Sequence, residues 1–297
     1  MLVPSTAPGY DPPHMDAHDT ELLERARAGD RRALEALLAR HQRSVYRFGL
    51  KMCRDEEDAK DILQETLLAV ARNVKDFRGA SSVSTWLYTI ARSFCIKKRR
   101  RSKFAPEQEE SLDAREPGEA ALQIVDPGRP PDDALAGRQI EVALEQAIGS
   151  LDPMYREVLV LRDVEGLTAP EVAEVMGLSV EAVKSRLHRA RVAVRAAVAP
   201  LLGIPGAEAP APAPATPAAE PCPDIVELFS KHLEGEISAT LCADMERHLA
   251  RCPACDARCQ SLQRTLALCK AAPLPEVPAH VQSSIREALK EFVALRS

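Results

Sequence analysis

Aromatic side chains are scarce, at 4% of the 297 residues with a single tryptophan, Trp86. The 45% of hydrophobic residues is therefore mostly aliphatic, which suits several small cores better than one large one. No apolar run approaches the roughly 18 residues a membrane helix needs, which argues against a spanning segment. The opening MLVPSTAPGYDPPHMDAHD lacks both a basic start and an apolar stretch, so it does not read as a signal peptide. Residues 1–18 read instead as a disordered leader in which Met15 is an alternative start, and the chain is expected in the cytoplasm. Strand-like alternation and internal repeats are missing too, which leaves an all-α protein. Surplus positive charge is also lacking: the net charge of −5 argues against a protein that coats nucleic acid indiscriminately.

Charge is segregated along the chain. Residues 97–103, KKRRRSK, hold six cations. Residues 105–136 carry nine carboxylates against Arg115 and Arg129. Local patches, not the total, decide where a polyanion can dock.

Four helical segments with one apolar face fill residues 19–104. Asp30 and Asp55 are positioned to cap the second and third, and Val83, Trp86, Leu87, Ile90 and Phe94 line the fourth. That register makes Trp86 a core residue. Residues 105–136 form an acidic linker too poor in large apolar groups to repay its ordering. Residues 137–202 are helical again. The Ala/Pro stretch 203–221 is a tether able to span roughly 50 Å at ~3.1 Å per residue. Residues 222–297 form a cysteine-rich unit ending in an amphipathic stretch with Val281, Ile285, Leu289 and Phe292 on one face.

Within 137–202, Thr168 and Glu171 make a capping box, Gly177 supplies a turn, and Ser179 caps a second helix. That helix buries Val183, Leu187, Ala190 and Val194 and leaves Lys184, Ser185, Arg186, His188, Arg189 and Arg191 outward or beside the buried stripe. Two short helices about a glycine turn, the second basic on its free face, are a helix-turn-helix signature. The alternative is a basic helical hairpin on a surface.

VKSRLHRAR after Gly177-Leu178-Ser179 resembles the region 4 recognition helix of extracytoplasmic-function sigma factors of the sigma-70 family. LDPMYREVLVLRDVEGLTAPEVAEVMG is similar to the helices preceding it. The resemblance implies that Lys184, Ser185, Arg186, His188 and Arg189 read or clamp a promoter −35 element. DAKDILQETLLAV, residues 58–70, resembles the region 2 helix that docks on the polymerase, which implies contacts by Asp58, Asp61, Gln64 and Glu65. DFRGASSVSTWLYTIARSFCIKKRRR, residues 76–101, resembles the −10 recognition loop and the helix after it, implying DNA contacts by Arg92, Lys97, Lys98, Arg100 and Arg101. The implied partners are core RNA polymerase and promoter DNA, and the implied function is promoter-specific initiation by a protein that is not an enzyme. A helix-turn-helix regulator that never engages polymerase is the alternative.

Cys53 and Cys95 fall inside apolar helical patterns and read as buried small hydrophobes. The other six cysteines fall in the last quarter of the chain. A disulfide framework does not fit a reducing compartment. His248 and Cys252 are i and i+4, Pro253 ends the helix, and Cys255 turns back to the same point. Cys222 lies far enough upstream for one intervening helix and completes a tetrahedral set. The pattern resembles a zinc-binding anti-sigma domain. The Cys252–Cys255 pair also reads as a redox motif, although its usual βαβ scaffold is missing; several free buried cysteines are the plainer alternative. Cys242, Cys259 and Cys269 exceed one zinc site and suggest further soft-metal ligands, with zinc or copper as the ion. A metal-responsive sigma subgroup with such a tail is similar, which implies regulation in cis without a separate anti-sigma protein.

Overall fold

The computed structural model describes residues 17–77, 79, 81–104, 131–204 and 222–294, and for residues 101–104, 131–136 and 291–294 the backbone alone. Nearly all of the leader, the acidic linker up to residue 130 and the tether from residue 205 lie outside the described residues, as does the side chain of Phe292. Among the described residues there is no strand.

Helices α1 (Ala17–Arg27), α2 (Arg31–Cys53), α3 (Glu56–Asn73) and α4 (Val83–Phe104) form the first bundle. Asp30 caps α2 by accepting the amides of Arg32 and Ala33 at 2.9 and 3.1 Å. Asp55 caps α3 by accepting the Asp58 amide at 2.7 Å. Each cap satisfies backbone donors that a helix start leaves without carbonyl partners. The α2–α3 packing is close because α2 carries Gly49: a Cβ there would stand 3.2 Å from the Cα of Ala59. Trp86 is partly buried and stacks on Phe77, with ring centroids 4.5 Å apart.

The second module comprises α5 (Pro131–Ser150), α6 (Pro153–Leu159), a π-turn over Val160–Val164, α7 (Ala169–Met176) and α8 (Val180–Val198). α5 starts at Pro131, so the acidic linker is shorter than its composition suggests; proline is well tolerated in a first helical turn. Every residue from Arg156 to Val164 is buried, as expected of a helix covered on all sides. The π-turn adds a residue to the helical repeat. It carries the buried Arg162 and Asp163 and is followed by Glu165, whose carboxylate is 1% exposed.

The C-terminal module contains α9 (Ile225–Leu233), α10 (Ala239–Leu249), α11 (Pro253–Ala271) and α12 (Ala279–Ala294). Ile225, Val226, Phe229, Met245, Cys255, Cys259, Leu262 and Leu266 give it a small core of its own. Cys269, Val277, Val281, Ile285 and Leu289 instead join a core shared with the first two modules. α12 packs on α3, while α9 and α11 pack on α8. Three modules separated by long linkers in the sequence thus fold into one packed body. Linker composition reports the freedom of the chain between modules and carries no information about the apolar surface available at either end.

Arg47 of α2 lies where all three modules meet. Its guanidinium donates through Nε and Nη2 to the two carboxylate oxygens of Glu165, each at 2.8 Å, and through Nη1 to the Ala272 carbonyl at 2.8 Å. Tyr88 Oη donates to the same carboxylate at 2.7 Å. Removing one partner of a buried pair leaves the other charged and desolvated. Arg47→Leu is expected to lower the unfolding free energy by about 3 kcal/mol in urea titrations. Arg47→Lys, which cannot make the two-pronged contact, should recover only part of that loss.

Candidate nucleic-acid interface and metal centre

The helix-turn-helix is built as its sequence suggests. Thr168 Oγ1 accepts the Glu171 amide at 3.2 Å, and Glu171 Oε2 accepts the Thr168 amide at 2.9 Å. Gly177 takes the left-handed conformation, φ 66°, where a Cβ would be strained. Ser179 caps α8 through the Ala182 amide, and Val183, Leu187, Ala190 and Val194 are buried.

On the other face of α8, Ser185 and Arg189 are exposed, whereas Lys184, Arg186 and His188 are half-buried. Lys184 Nζ donates to Glu236 of the C-terminal module at 2.6 Å. Arg186 returns to the Ala182 carbonyl, and Arg189 reaches the Tyr155 hydroxyl at 3.2 Å. His188 Nδ1 is buried without a hydrogen-bond partner among the described residues. Arg191 departs from the sequence expectation: its side chain is 1% exposed and points inward. It makes a two-pronged pair with Asp163 at 2.7 and 2.9 Å, donates to Ser230 Oγ at 2.8 Å, and meets Glu234 at 3.0 Å. Burial works against its charge, but Asp163 and Glu234 outweigh it and hold the guanidinium pKa above its usual value. Arg162 also donates to Glu234, at 3.1 Å.

The residues singled out on α3 and α4 are less independent than their spacing implies. Lys98 binds both Asp58 and Asp61, at 2.9 and 2.5 Å. Glu65 is exposed and Gln64 half-buried. Lys97 and Arg100 are exposed, whereas the side chain of Arg101 lies outside the described residues. Arg92 is turned to Glu157 of α6 at 2.7 Å. At the start of α4, Ser82 and Thr85 hydroxyls donate to Glu171 Oε1 at 2.9 and 3.2 Å. The capping carboxylate of the helix-turn-helix therefore also holds the loop end of the first module.

In the C-terminal module, Cys222, His248, Cys252 and Cys255 bring one ligand atom each to within 4.8 Å of one another. One helix, α9, lies between Cys222 and α10, the helix that carries His248, as the spacing suggested. Pro253 begins α11 instead of ending α10, so His248 and Cys252 belong to different elements: α10 stops at Leu249, and Cys252 is the residue capping α11. The Cys252 amide donates to the His248 carbonyl at 3.0 Å, which holds the turn. Amides at the start of α11, first that of Cys255, point at the Cys252 sulfur and pull its pKa down. Burial pushes the Cys255 thiol up to about 12.

Cys222 and Cys252 sulfurs stand 3.9 Å apart, close to the roughly 3.8 Å between two thiolates on one tetrahedral zinc ion. His248 Nε2 is buried with no partner among the described residues. An unpartnered buried nitrogen on an imidazole that stands within 4.8 Å of three thiols fits a metal ion, because it otherwise carries an uncompensated desolvation cost. The surplus cysteines do not join this set. Cys259 is 3% exposed in the small core and Cys269 1% exposed in the shared core, each a small apolar filler. Cys242 faces His232. Cys252→Ala should lose the tightly held ion and Cys269→Ala should retain it, as read by mass spectrometry of the folded protein.

Sequence reasoning missed Asp163, Glu165, Glu171 as an inter-module acceptor, Glu234 and Glu236. Each sits in an ordinary local pattern and acquires its role from a residue far along the chain, so no short-range signal could have marked it.

Comparison with known families agrees with this architecture. Residues 37–104 match the model described as "Sigma-70 region 2", residues 141–194 that for "Sigma-70, region 4", and residues 222–255 one described as "Putative zinc-finger". The RNA polymerase sigma-H factor of Pseudomonas aeruginosa is 33% identical over 62% of this chain and 95% of the relative. The ECF RNA polymerase sigma factor SigW of Bacillus subtilis is 30% identical over 58% and 92%. A solved structure, described as CnrH in complex with the cytosolic domain of CnrY, is 27% identical with TM-score 0.42, over 60% of this chain and 94% of that one. A match of the first bundle as well as the helix-turn-helix disfavours a regulator that merely binds DNA. With both regions in order and relatives spanned over nearly their full length, the chain belongs to the sigma-70 family of RNA polymerase sigma factors, in its extracytoplasmic-function group.

Proposed function

We propose that this sigma factor directs core RNA polymerase to a class of promoters, and that its own C-terminal module holds it in a closed state. In this reading Lys184, Ser185, Arg186, His188 and Arg189 contact the −35 element. Arg92, Lys97, Lys98, Arg100 and Arg101 serve the −10 element and its backbone, and Asp58, Asp61, Gln64 and Glu65 face the polymerase. The protein works in the cytoplasm; among the described residues no helix is long and apolar enough to cross a membrane.

The observation that carries the closed state is the pairing of α8 with α9 and the turn after it. Lys184 is engaged by Glu236, and Arg191 by Glu234. A cation already paired with a carboxylate gains little by meeting a phosphate, so the Lys184–Glu236 pair subtracts from DNA affinity, while the buried Arg191–Glu234 pair holds α9 against α8. Glu171 likewise occupies Ser82 and Thr85 at the end of the −10 loop. Opening requires that DNA and polymerase together favour the separated modules over these contacts.

Cys222, His248, Cys252 and Cys255 would hold zinc, whose tetrahedral preference suits three thiolates and an imidazole; copper(I) is the softer alternative. When bound, such an ion cross-links the start of α9 to the α10–α11 turn. Those residues then present Glu234 and Glu236 as one rigid unit to α8. A separate anti-sigma protein is not required for this regulation.

Transcription with purified core enzyme tests the reading. Glu234→Gln combined with Glu236→Gln should raise promoter-specific transcript several-fold over wild type. Arg189→Ala in that background should cost about 1–3 kcal/mol of promoter binding. Absence of any defined start site with both wild type and the double variant would overturn the assignment of function.

A further inference from the structure

The helix to which the proposed function assigns polymerase docking, α3, is packed against α2, α4 and α12. Between Asp58 and Ala71 only Asp61 and Glu65 are exposed, and Asp61 is already paired with Lys98 of α4. A stable protein–protein contact buries roughly 800 Å² on each partner, which two carboxylates one turn apart do not provide. α2 and α4 belong to the bundle that holds α3 in place. α12 is therefore the neighbour that can leave.

The way α12 is held suits that role. Residues 272–278, APLPEVP, form a strap between α11 and α12 with Pro273, Pro275 and Pro278 along it. Proline fixes its own φ and restricts the residue before it, so the strap has little freedom left to lose on docking. Its carbonyls go to α2. Arg43 donates through Nε to the Pro275 carbonyl at 3.1 Å and through Nη2 to that of Leu274, and Arg47, one turn along, donates to that of Ala272. Gln282 ties the first turn of α12 back to the strap, its side-chain amide donating to the Val277 carbonyl at 2.8 Å. Beyond this anchor, Val281, Ile285 and Leu289 form one narrow buried stripe, while Ser283, Arg286 and Glu287 face solvent. The stripe joins the core of the first two modules and takes no part in the small core beneath the thiols.

We infer that α12 is a removable cover over the surface of α3 on which core RNA polymerase docks, and that the two compete for it. The inference rests on the proposed function and deepens it by dividing the C-terminal module in two. The part built on the small core, α9 to α11, acts on the DNA-reading helix α8. The strap and α12 act on entry of the polymerase. Because the strap keeps α12 beside α3 at high effective concentration, a polymerase surface gains α3 only by displacing a tethered helix. The cover is held by apolar contact and not by the thiols, so its strength is set by the stripe of α12.

The test measures the affinity of the full-length protein for purified core polymerase. Ile285→Asp combined with Leu289→Asp should bind core several-fold more tightly than wild type, and Glu287→Ala, on the solvent face, should bind as wild type does. The double variant should keep its tightly held metal ion by mass spectrometry; loss of the ion would overturn the division between α12 and the small core. In wild type, which needs no substitution, hydrogen exchange of the α12 amides should speed up when core polymerase is added. Equal affinity of wild type and double variant, or α12 amides as protected with polymerase as without it, would overturn the inference alone. Failure of both proteins to bind core would overturn the polymerase assignment itself, and the inference with it.

Discussion

The pair between Arg47 and Glu165 is the contact on which the arrangement of modules depends. Arg47 belongs to the first bundle, Glu165 follows the π-turn of the second, and the Ala272 carbonyl that takes the third donor belongs to the C-terminal module. A guanidinium has enough donors in fixed directions to satisfy all three at once. Tyr88 adds a fourth tie from α4. Burial of such a charge is unfavourable unless every partner is present, so the three modules are held together or released together. Apolar burial supplies the bulk of the attraction, and the charged pair makes it specific to one geometry.

The same logic operates one helix away. Arg191 lies on the helix that a sigma factor uses to read DNA, yet it is buried between Asp163, Ser230 and Glu234. Part of α8 is thus committed to the C-terminal module through an inward-facing cation, while Ser185 and Arg189 stay exposed. The interface combines a dry, fully paired centre with a more accessible rim contact, Lys184 to Glu236. The centre resists separation. The rim, screened by salt and within reach of solvent, is where a polyanion can begin to compete.

The metal centre fits this scheme because of where its donors come from. Cys222 precedes α9, His248 ends α10, and Cys252 and Cys255 open α11. The small core beneath them contains only eight buried residues, too few to fix three helices firmly without a cross-link. A metal ion at the thiols would supply that cross-link, while the charge pattern of the surface facing α8 depends on Glu234 and Glu236.

Local patterns in the chain were enough for the helices, their caps at Asp30, Asp55, Thr168 and Ser179, the turn at Gly177, the buried stripe of α8 and the four-donor metal set. Each depends on spacing over a few residues, which helical geometry translates directly into position. The direction taken by the metal turn was not legible, because Pro253 is equally compatible with ending one helix and starting the next. Nor could the sequence separate Arg191, which is buried, from Arg189, which is exposed: both flank the same stripe, and only the neighbouring π-turn and α9 decide between them. Cys259 and Cys269 read as ligands until packing assigned them to cores. Tertiary structure alone determined that the modules close on one another, because that outcome depends on complementary surfaces contributed by separate segments, 39 residues apart for Arg191 and Ser230 and 225 for Arg47 and Ala272, for which a linear pattern has no period.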